Sequence, residues 1–170
     1  MIKRQDILVL ATLLGSGREG LSYANLANKA KLSVSETFAA IGRLKESGLI
    51  NRDKRVNKRN TEEFLEHALK YICPAHYSNK ITSRVPASYA APVASNEFAV
   101  SGNILVWPHA QGSAVGRSLE PIYPTALEAA LADKSIYDNL ALIDMLRGGR
   151  LRERIFAMNK IREIMSHELN

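Results

Sequence analysis

The sequence of 170 residues contains a single cysteine, Cys73, and this scarcity excludes several kinds of protein. One cysteine cannot form an internal disulfide or build a cysteine-rich zinc cage, so we read Cys73 as a small buried hydrophobe. The sequence also lacks any apolar run near the ~18 residues that a membrane-spanning helix requires. Residues 1–6 do not begin a hydrophobic signal segment. We therefore expect a cytoplasmic protein with no membrane partner.

Motifs for catalysis and cofactor binding are missing as well. There is no phosphate-binding loop, dinucleotide fingerprint or H-E-x-x-H pair, and no histidine is followed by a second metal ligand three or four residues later. In the segment 112–116 the serine directly follows the first glycine, which excludes a nucleophile elbow. We expect no cofactor, no metal and no enzymatic activity. An active site assembled from distant residues within 74–124 is the alternative.

The positive charge of the chain is concentrated in its first third. The whole sequence carries a net charge of +6. Residues 1–60 contain twelve Lys and Arg against five Asp and Glu, a net charge of +7, whereas residues 61–170 contain eleven against twelve. Such an excess is typical of a module that binds a polyanion, most often nucleic acid. A solvated basic face without a partner is the alternative.

The prolines divide the sequence into three segments. All six lie in residues 74–124, which are poor in charge and therefore not mostly helical, whereas residues 1–73 and 125–170 have helical periodicity. We predict an α+β protein with domain boundaries at these positions. In the middle segment we predict strands over 98–100 and 104–107 around a turn at 101–103, and a third strand over 118–123. We also predict a core position for Trp107, and a buried polar contact or an effector site for Arg84, Arg117 and Glu120.

Three helices are predicted within residues 1–50. The first has apolar residues at helical spacing from Ile7 to Leu14 and ends at 15–17; the second covers 23–30 and begins after the N-cap Ser22. Ser33 and Glu36 have the spacing of a capping box, which starts a third helix over 33–47, and Gly48 suits the left-handed position after it. At ~100° per residue, the inward face of this helix is small and apolar, and its outward face is small and polar. The predicted inward residues are Thr37, Ala40, Ile41 and Leu44; the predicted outward ones are Ser35, Ala39, Gly42 and Arg43.

The segments 21–27, 32–35 and 43–50 read L-S-Y-A-N-L-A, L-S-V-S and R-L-K-E-S-G-L-I. Over roughly residues 3–60 they resemble the winged helix-turn-helix of bacterial transcription regulators of the MarR-like type. The resemblance implies that 1–73 is a domain that binds double-stranded DNA, with a recognition helix over 33–47 and a basic wing over 51–60. Segments 57–65, 71–75 and 107–121 look like parts of a poorly characterised group of bacterial winged-helix proteins, sometimes encoded near nucleotidyltransferase-like or toxin–antitoxin genes.

The predicted DNA contacts lie on the recognition helix and on the wing. Serines at the start of the helix suit phosphate or base edges, because free N–H groups and the positive dipole end point there. Arg43 suits a phosphate or a guanine edge, with an intramolecular salt bridge as the alternative; Phe38 suits a thymine methyl, with simple packing as the alternative. If four wing cations contact phosphates, the slope of log K against log[salt] would be about −3.6. The candidates are Ser33, Ser35, Glu36, Phe38, Ala39, Arg43, Arg52, Lys54, Arg55, Lys58 and Arg59.

The C-terminal segment is predicted to mediate dimerisation. A capping box at 125–128 opens a short helix, a second helix runs from Ser135 to 148–149, and a terminal helix follows. We expect a homodimeric repressor, because paired half-sites on DNA match a two-fold axis. An antitoxin-like protein that masks a partner encoded nearby and regulates its own operon is the alternative function. The terminal helix has an apolar seam, which either joins two subunits or folds back on its own chain: Leu151, Ile155, Met158, Ile161 and Met165.

Overall fold

Helices form most of the computed structural model, which describes residues 1–14, 16, 22–78, 84–98, 104–110 and 112–167. With the four short strands they make an α+β protein, so this part of the fold prediction is confirmed. A π-helical segment, Phe64–Ala68, joins two of the helices into one continuous rod. The helices are α1 (Arg4–Leu13), α2 (Tyr23–Ala30), α3 (Val34–Glu46), α4 (Lys58–Glu63), α5 (Leu69–Ile72), α6 (Ala126–Ala132), α7 (Lys134–Gly148) and α8 (Leu151–His167).

The strands form one mixed sheet in the order β1-β4-β3-β2. They are β1 (Tyr77–Ser78), β2 (Arg84–Pro86), β3 (Ile104–Pro108) and β4 (Gly116–Leu119). β3 and β4 are parallel, and the outer strands pair antiparallel to them. The strand predicted over 104–107 is confirmed. The one predicted over 118–123 begins earlier and stops at Leu119, shortly before Pro121, which has no N–H to donate.

Parts of the predicted strand pair and the end of the first helix lie outside the described residues. Phe98 lies in a bend rather than in a strand, and residues 99–103 are not described. Gly15 and Gly17, which were predicted to end the first helix, are also outside the described residues. Helix α1 ends at Leu13. No helix in the described part is both long and apolar enough to cross a membrane.

Helix α1 lies at the centre of the molecule. Every side chain from Asp6 to Leu13 is buried, and α1 packs against α2 and α3 on one side and α7 on another. A helix at the protein surface buries the side chains of only one face. Because α1 is buried on all sides, it belongs to the hydrophobic core that its neighbouring helices share. Asn139 of α7 completes this contact by donating hydrogen bonds to the carbonyls of Ala11 and Leu14, at 2.9 and 2.6 Å.

A buried polar group joins the sheet to α7. Trp107 of β3 is buried, as predicted, and its indole Nε1 donates to Asp144 Oδ2 at 2.7 Å. Arg147 Nε donates to Asp144 Oδ1 at 2.7 Å. The same guanidinium donates to the carbonyls of Pro74 and Glu120, so one side chain holds the two ends of the segment that contains the sheet.

The C-terminal capping prediction is wrong in its details. Thr125 precedes α6 but makes no side-chain cap; its hydroxyl donates instead to the Ala30 carbonyl of α2 at 3.1 Å. Helix α7 begins at Lys134, and Asp133 caps it by accepting from the N–H of Ser135 at 2.9 Å. A carboxylate next to two free N–H groups is a strong N-cap, which moves the start one residue earlier than predicted.

Candidate nucleic-acid interface

Helices α2 and α3 pack against each other and are joined by a three-residue turn, 31–33. Ser22 caps α2, Lys31 ends it in the left-handed region at a φ of 55°, and Ser33 caps α3. The four residues predicted to face inward are all buried, and Gly48 adopts the predicted positive φ, at 71°. On the outward face Ser35, Ala39 and Gly42 are exposed, and a Cβ added at Gly42 would meet open space. The outward face of α3 is therefore bare enough for another surface to approach its backbone.

The first turn of α3 is closed by the predicted capping box. Ser33 Oγ accepts from the N–H of Glu36 at 3.1 Å, and Glu36 Oε2 accepts from the N–H of Ser33 at 2.9 Å and from its hydroxyl at 2.7 Å. The hydroxyl of Tyr123 donates to the other oxygen, at 3.4 Å. The hydrogen bonds from Ser33 hold the pKa of Glu36 below its ordinary value. Ser33 and Glu36 are thus occupied in stabilising the helix, whereas Ser35 is exposed and lies outside the capping box.

Arg43 makes an ion pair inside the protein. Its Nε donates to Asp6 Oδ2 at 2.8 Å and its Nη2 to Asp6 Oδ1 at 2.7 Å, so the contact is bidentate. Asp6 is fully buried in α1, and these bonds raise the pKa of Arg43. This ion pair is the alternative considered for Arg43 in the sequence, and it removes the guanidinium from the outward face of α3.

Three side chains link α2, α3 and the segment after α3 at the surface. Phe38 of α3 is 61% exposed, and its ring centroid lies 5.3 Å from that of Tyr23 at the start of α2. Lys54 Nζ lies 4.7 Å from the centroid of the same Tyr23 ring. The sequence gives no signal for Tyr23 at this site, because Tyr23 lies 15 positions and a turn before Phe38 and no local pattern joins the two.

The segment after α3 forms a short hairpin, which we call the basic hairpin (residues 50–56). Ile50 and Val56 pair antiparallel, and the N–H of Asn51 donates to the Arg55 carbonyl at 2.8 Å. Asn51 Oδ1 accepts from the N–H groups of Asp53 and Arg55, each at 2.9 Å, which fixes the turn. Lys54 has a φ of 64°, so it takes the left-handed position of the turn.

The hairpin is shorter than the predicted wing over 51–60. Lys58 and Arg59 belong to the first turn of α4, because the Asn57 side chain accepts from the N–H of Asn60 at 3.3 Å and starts that helix. Thr61, in the same helix, is buried, and its hydroxyl donates to the Leu49 carbonyl at 3.1 Å. The placement of these two cations in the wing is wrong, although they still follow the hairpin directly.

The hairpin and the start of α4 present a dense positive surface. The side chains of Arg52, Arg55 and Arg59 are exposed, and within the described part of the chain no ion pair involves them. The first turn of α4 carries Lys58 and Arg59 but no acid, although the helix dipole disfavours cations there by a few tenths of a kcal/mol. An anion at this surface would remove that repulsion.

The described ranges contain no group of three or more His, Cys, Asp or Glu side chains arranged to hold a metal ion. Cys73 is buried as predicted, and burial raises the pKa of its thiol, which makes the reactive thiolate less accessible. The candidate site therefore consists of the outward face of α3, the Tyr23–Phe38 pair, the basic hairpin and the first turn of α4. No family model, no curated protein and no solved structure matches this chain.

Proposed function

We propose that this chain is a DNA-binding transcriptional regulator with a winged helix-turn-helix, in which α3 enters the major groove and the basic hairpin is the wing. The observation that carries the proposal is the exposed cationic hairpin, joined to the outward face of α3 through Lys54, Tyr23 and Phe38. A helix of ~10 Å diameter fits a major groove of ~12 Å. The bare stripe of Ala39 and Gly42 lets the helix backbone approach the bases closely.

In this proposal the residues divide into phosphate contacts and base contacts. Arg52, Arg55 and Arg59 neutralise phosphates, since guanidinium groups bind phosphate oxygens bidentately. Ser35 and Phe38 face base edges, and the phenyl ring suits a thymine methyl. Because this base-reading set is small and Arg43 is engaged with Asp6, we expect phosphate contacts to dominate affinity and DNA shape to contribute to specificity.

The salt dependence of binding tests the hairpin together with the first turn of α4. Changing Arg52, Arg55 and Arg59 together to Ala removes three phosphate contacts. Each contact contributes about −0.9 to the slope of log K against log[salt], so the slope should become shallower by about 2.7. The loss of affinity should be similar for every DNA sequence, because phosphates carry no sequence information. Fluorescence anisotropy with labelled duplexes over a range of salt concentrations measures both quantities.

A matched variant controls for the change of net charge. Arg117 of β4, Lys134 of α7 and Lys160 in the middle of α8, changed together to Ala, remove the same number of cations outside α3, the hairpin, α4 and the beginning of α8. This control should keep the slope of the wild-type protein. An unchanged slope in the variant of Arg52, Arg55 and Arg59, or equal slopes in both variants, would remove the hairpin and the first turn of α4 from the interface.

We further propose that the regulator is a homodimeric repressor, with the beginning of α8 in the subunit interface. Met158, Ile161 and Met165 of the predicted seam are buried in their own chain, but Leu151 is 65% and Ile155 53% exposed, one helical turn apart. Two large apolar side chains on one exposed face are a natural contact between subunits. A dimer would also place two α3 helices on paired half-sites.

Mass in solution tests the dimer. The variant Leu151→Glu/Ile155→Glu should be monomeric by light scattering where the wild-type protein is dimeric, since the interface would bury four carboxylates. Leu131→Glu, at another exposed apolar position on α6, should leave the mass unchanged. A monomeric wild-type protein at concentrations that bind DNA would contradict the proposal. The antitoxin-like alternative predicts a complex of two different chains instead.

A further inference from the structure

The beginning of α3 exposes large apolar side chains. Among its first six residues, 34–39, the exposed ones are Val34, Ser35, Phe38 and Ala39, and three of these four side chains carry no polar atom. Val34 is 52% and Phe38 61% exposed, and as residues i and i+4 they lie one above the other on the same side of the helix. We call Val34 and Phe38 the α3 pair. Large apolar side chains that share one exposed face are typical of a contact with another molecule.

The ring of Phe38 is held from one side and open on the other. The Tyr23 ring lies 5.3 Å away, centroid to centroid, at an angle of 49°, and Lys54 Nζ lies 4.7 Å from the centroid of the Tyr23 ring. Two neighbouring elements therefore position the phenyl ring while most of its surface remains accessible. A side chain that is already positioned loses little conformational freedom on binding, which suits it to recognition.

The charge next to the α3 pair indicates what binds there. Lys54 joins the basic hairpin to Tyr23, and Arg52 and Arg55 of the same hairpin are exposed. The major groove of DNA offers phosphates along its edges and the methyl groups of thymine on its floor, so it matches both cations and apolar side chains. A second copy of this chain would bring its own cations to the same place, and such a contact between like charges is unfavourable.

The polar side chains nearest to the α3 pair read bases poorly. Ser33 and Glu36 bond to each other in the capping box, and Arg43 is bound to Asp6. Ser35 remains exposed, but a hydroxyl both donates and accepts, so it does not distinguish the acceptor O4 of thymine from the donor N4 of cytosine. At this end of α3 the methyl group is therefore the feature of a pyrimidine that the exposed side chains discriminate.

We propose that α3 selects its DNA sites by the 5-methyl groups of pyrimidines, so that 5-methylcytosine replaces thymine wherever the α3 pair contacts the groove. The Cβ atoms of residues i and i+4 are ~5–6 Å apart, and successive base pairs are ~3.4 Å apart, so Val34 and Phe38 contact the methyl groups of two neighbouring pyrimidines. Binding is then sensitive to methylation of cytosine in the site. This inference rests on the proposed DNA binding and adds the chemical group that is recognised.

Uracil substitution in a selected duplex tests the proposal. Bound duplexes are selected from a random pool with the full chain, and each thymine of the selected duplex is then replaced in turn by uracil, which removes only the methyl group. Burial of one methyl group corresponds to about fourfold in affinity, so uracil should weaken binding about fourfold at each of two neighbouring positions. At these positions 5-methylcytosine should bind as tightly as thymine, and unmodified cytosine as weakly as uracil. Fluorescence anisotropy at constant salt measures each affinity.

Two variants assign the effect to the α3 pair. In Val34→Ala/Phe38→Ala the thymine and uracil duplexes should bind equally tightly, while the phosphate contacts of the hairpin maintain measurable binding. Tyr71→Ala, which removes a 76% exposed aromatic ring from α5, should keep the wild-type ratio of the two affinities. Because the ratio compares two duplexes on one protein sample, partial unfolding of a variant does not imitate the expected result.

The outcomes separate this inference from the proposed function. Equal affinity of the wild-type protein for thymine and uracil duplexes overturns methyl recognition and leaves DNA binding in place. Failure to bind any duplex overturns both. An unchanged ratio in Val34→Ala/Phe38→Ala, with a lower mass by light scattering, would assign the α3 pair to a contact between subunits and also overturn the inference.

Discussion

Replacing Arg147 by methionine is expected to lower the free energy of unfolding by about 3–5 kcal/mol. Arg147 is the cationic partner of the fully buried Asp144 and also donates to the carbonyls of Pro74 and Glu120. Methionine fills much of the volume but leaves a buried carboxylate without its counter-ion and two carbonyls without this donor. Urea unfolding of the variant and the wild-type protein, followed by circular dichroism, measures the difference.

The pH dependence of this variant has a definite sign. Burial raises the pKa of Asp144 above its ordinary value, while Arg147 and Trp107 oppose that rise. Without Arg147 the pKa rises further, so Asp144 takes up a proton in the folded variant. A raised pKa in the folded state gives stability that is lost as pH rises through it, so the variant should lose less stability at about pH 5 than at about pH 8.

A double variant separates buried charge from lost packing. Asp144→Asn in the Arg147→Met background keeps an acceptor for the Trp107 indole and removes the uncompensated charge. It should recover at least half of the lost stability and abolish the difference between the two pH values. A single variant that loses less than about 1 kcal/mol would show that the buried pair contributes no more than a surface ion pair.

Replacing Arg43 by methionine should cost about 3 kcal/mol of unfolding free energy. Asp6 is fully buried in the central helix, and both of its oxygens accept from Arg43. The cost falls at the lower end of the range for buried pairs because the Arg43 side chain retains 19% exposure, which screens the interaction. Arg43→Lys should restore little, since an ammonium cannot reproduce the bidentate contact. Thermal and urea unfolding measure both variants.

Asp6→Asn in the Arg43→Met background serves as the control for this pair. Asparagine keeps the acceptor for the backbone N–H of Lys3, at 2.8 Å from Asp6 Oδ2, and removes the charge, so much of the stability should return. In this double variant, whose stability is restored, the affinity for DNA and the preference among DNA sites should match those of the wild-type protein. A changed base preference in a fully folded protein would return Arg43 to the group of base-reading residues.

The sequence was most informative where a structure depends on neighbours within one helical turn. Ser22, the Ser33–Glu36 box and Gly48 were predicted correctly, because each satisfies backbone groups a few residues away. Thr125 has the same local spacing and failed, because its hydroxyl found the Ala30 carbonyl of another helix. A spacing rule cannot detect such a competitor.

The candidate site was predicted as a region but not in its details. Charge counting located the basic surface, yet it assigned Lys58 and Arg59 to the hairpin, because composition does not show that Asn57 begins a helix. A helical projection placed Arg43 outward, but it ignores the reach of a long side chain to Asp6, 37 residues away in sequence. The Tyr23–Phe38 contact depends on the packing of two helices, which no single segment contains.

The burial of α1 has a mechanical consequence. Within the described part of the chain, the single helix α1 packs against α2 and α3 and also against α7, so it belongs to the core of both halves of the molecule. A shift of α7 must either carry α3 with it or break close packing around α1, which resists gradual deformation. We therefore expect α3 and α7 to move together with α1 as one rigid body, and not to open about a hinge at α1.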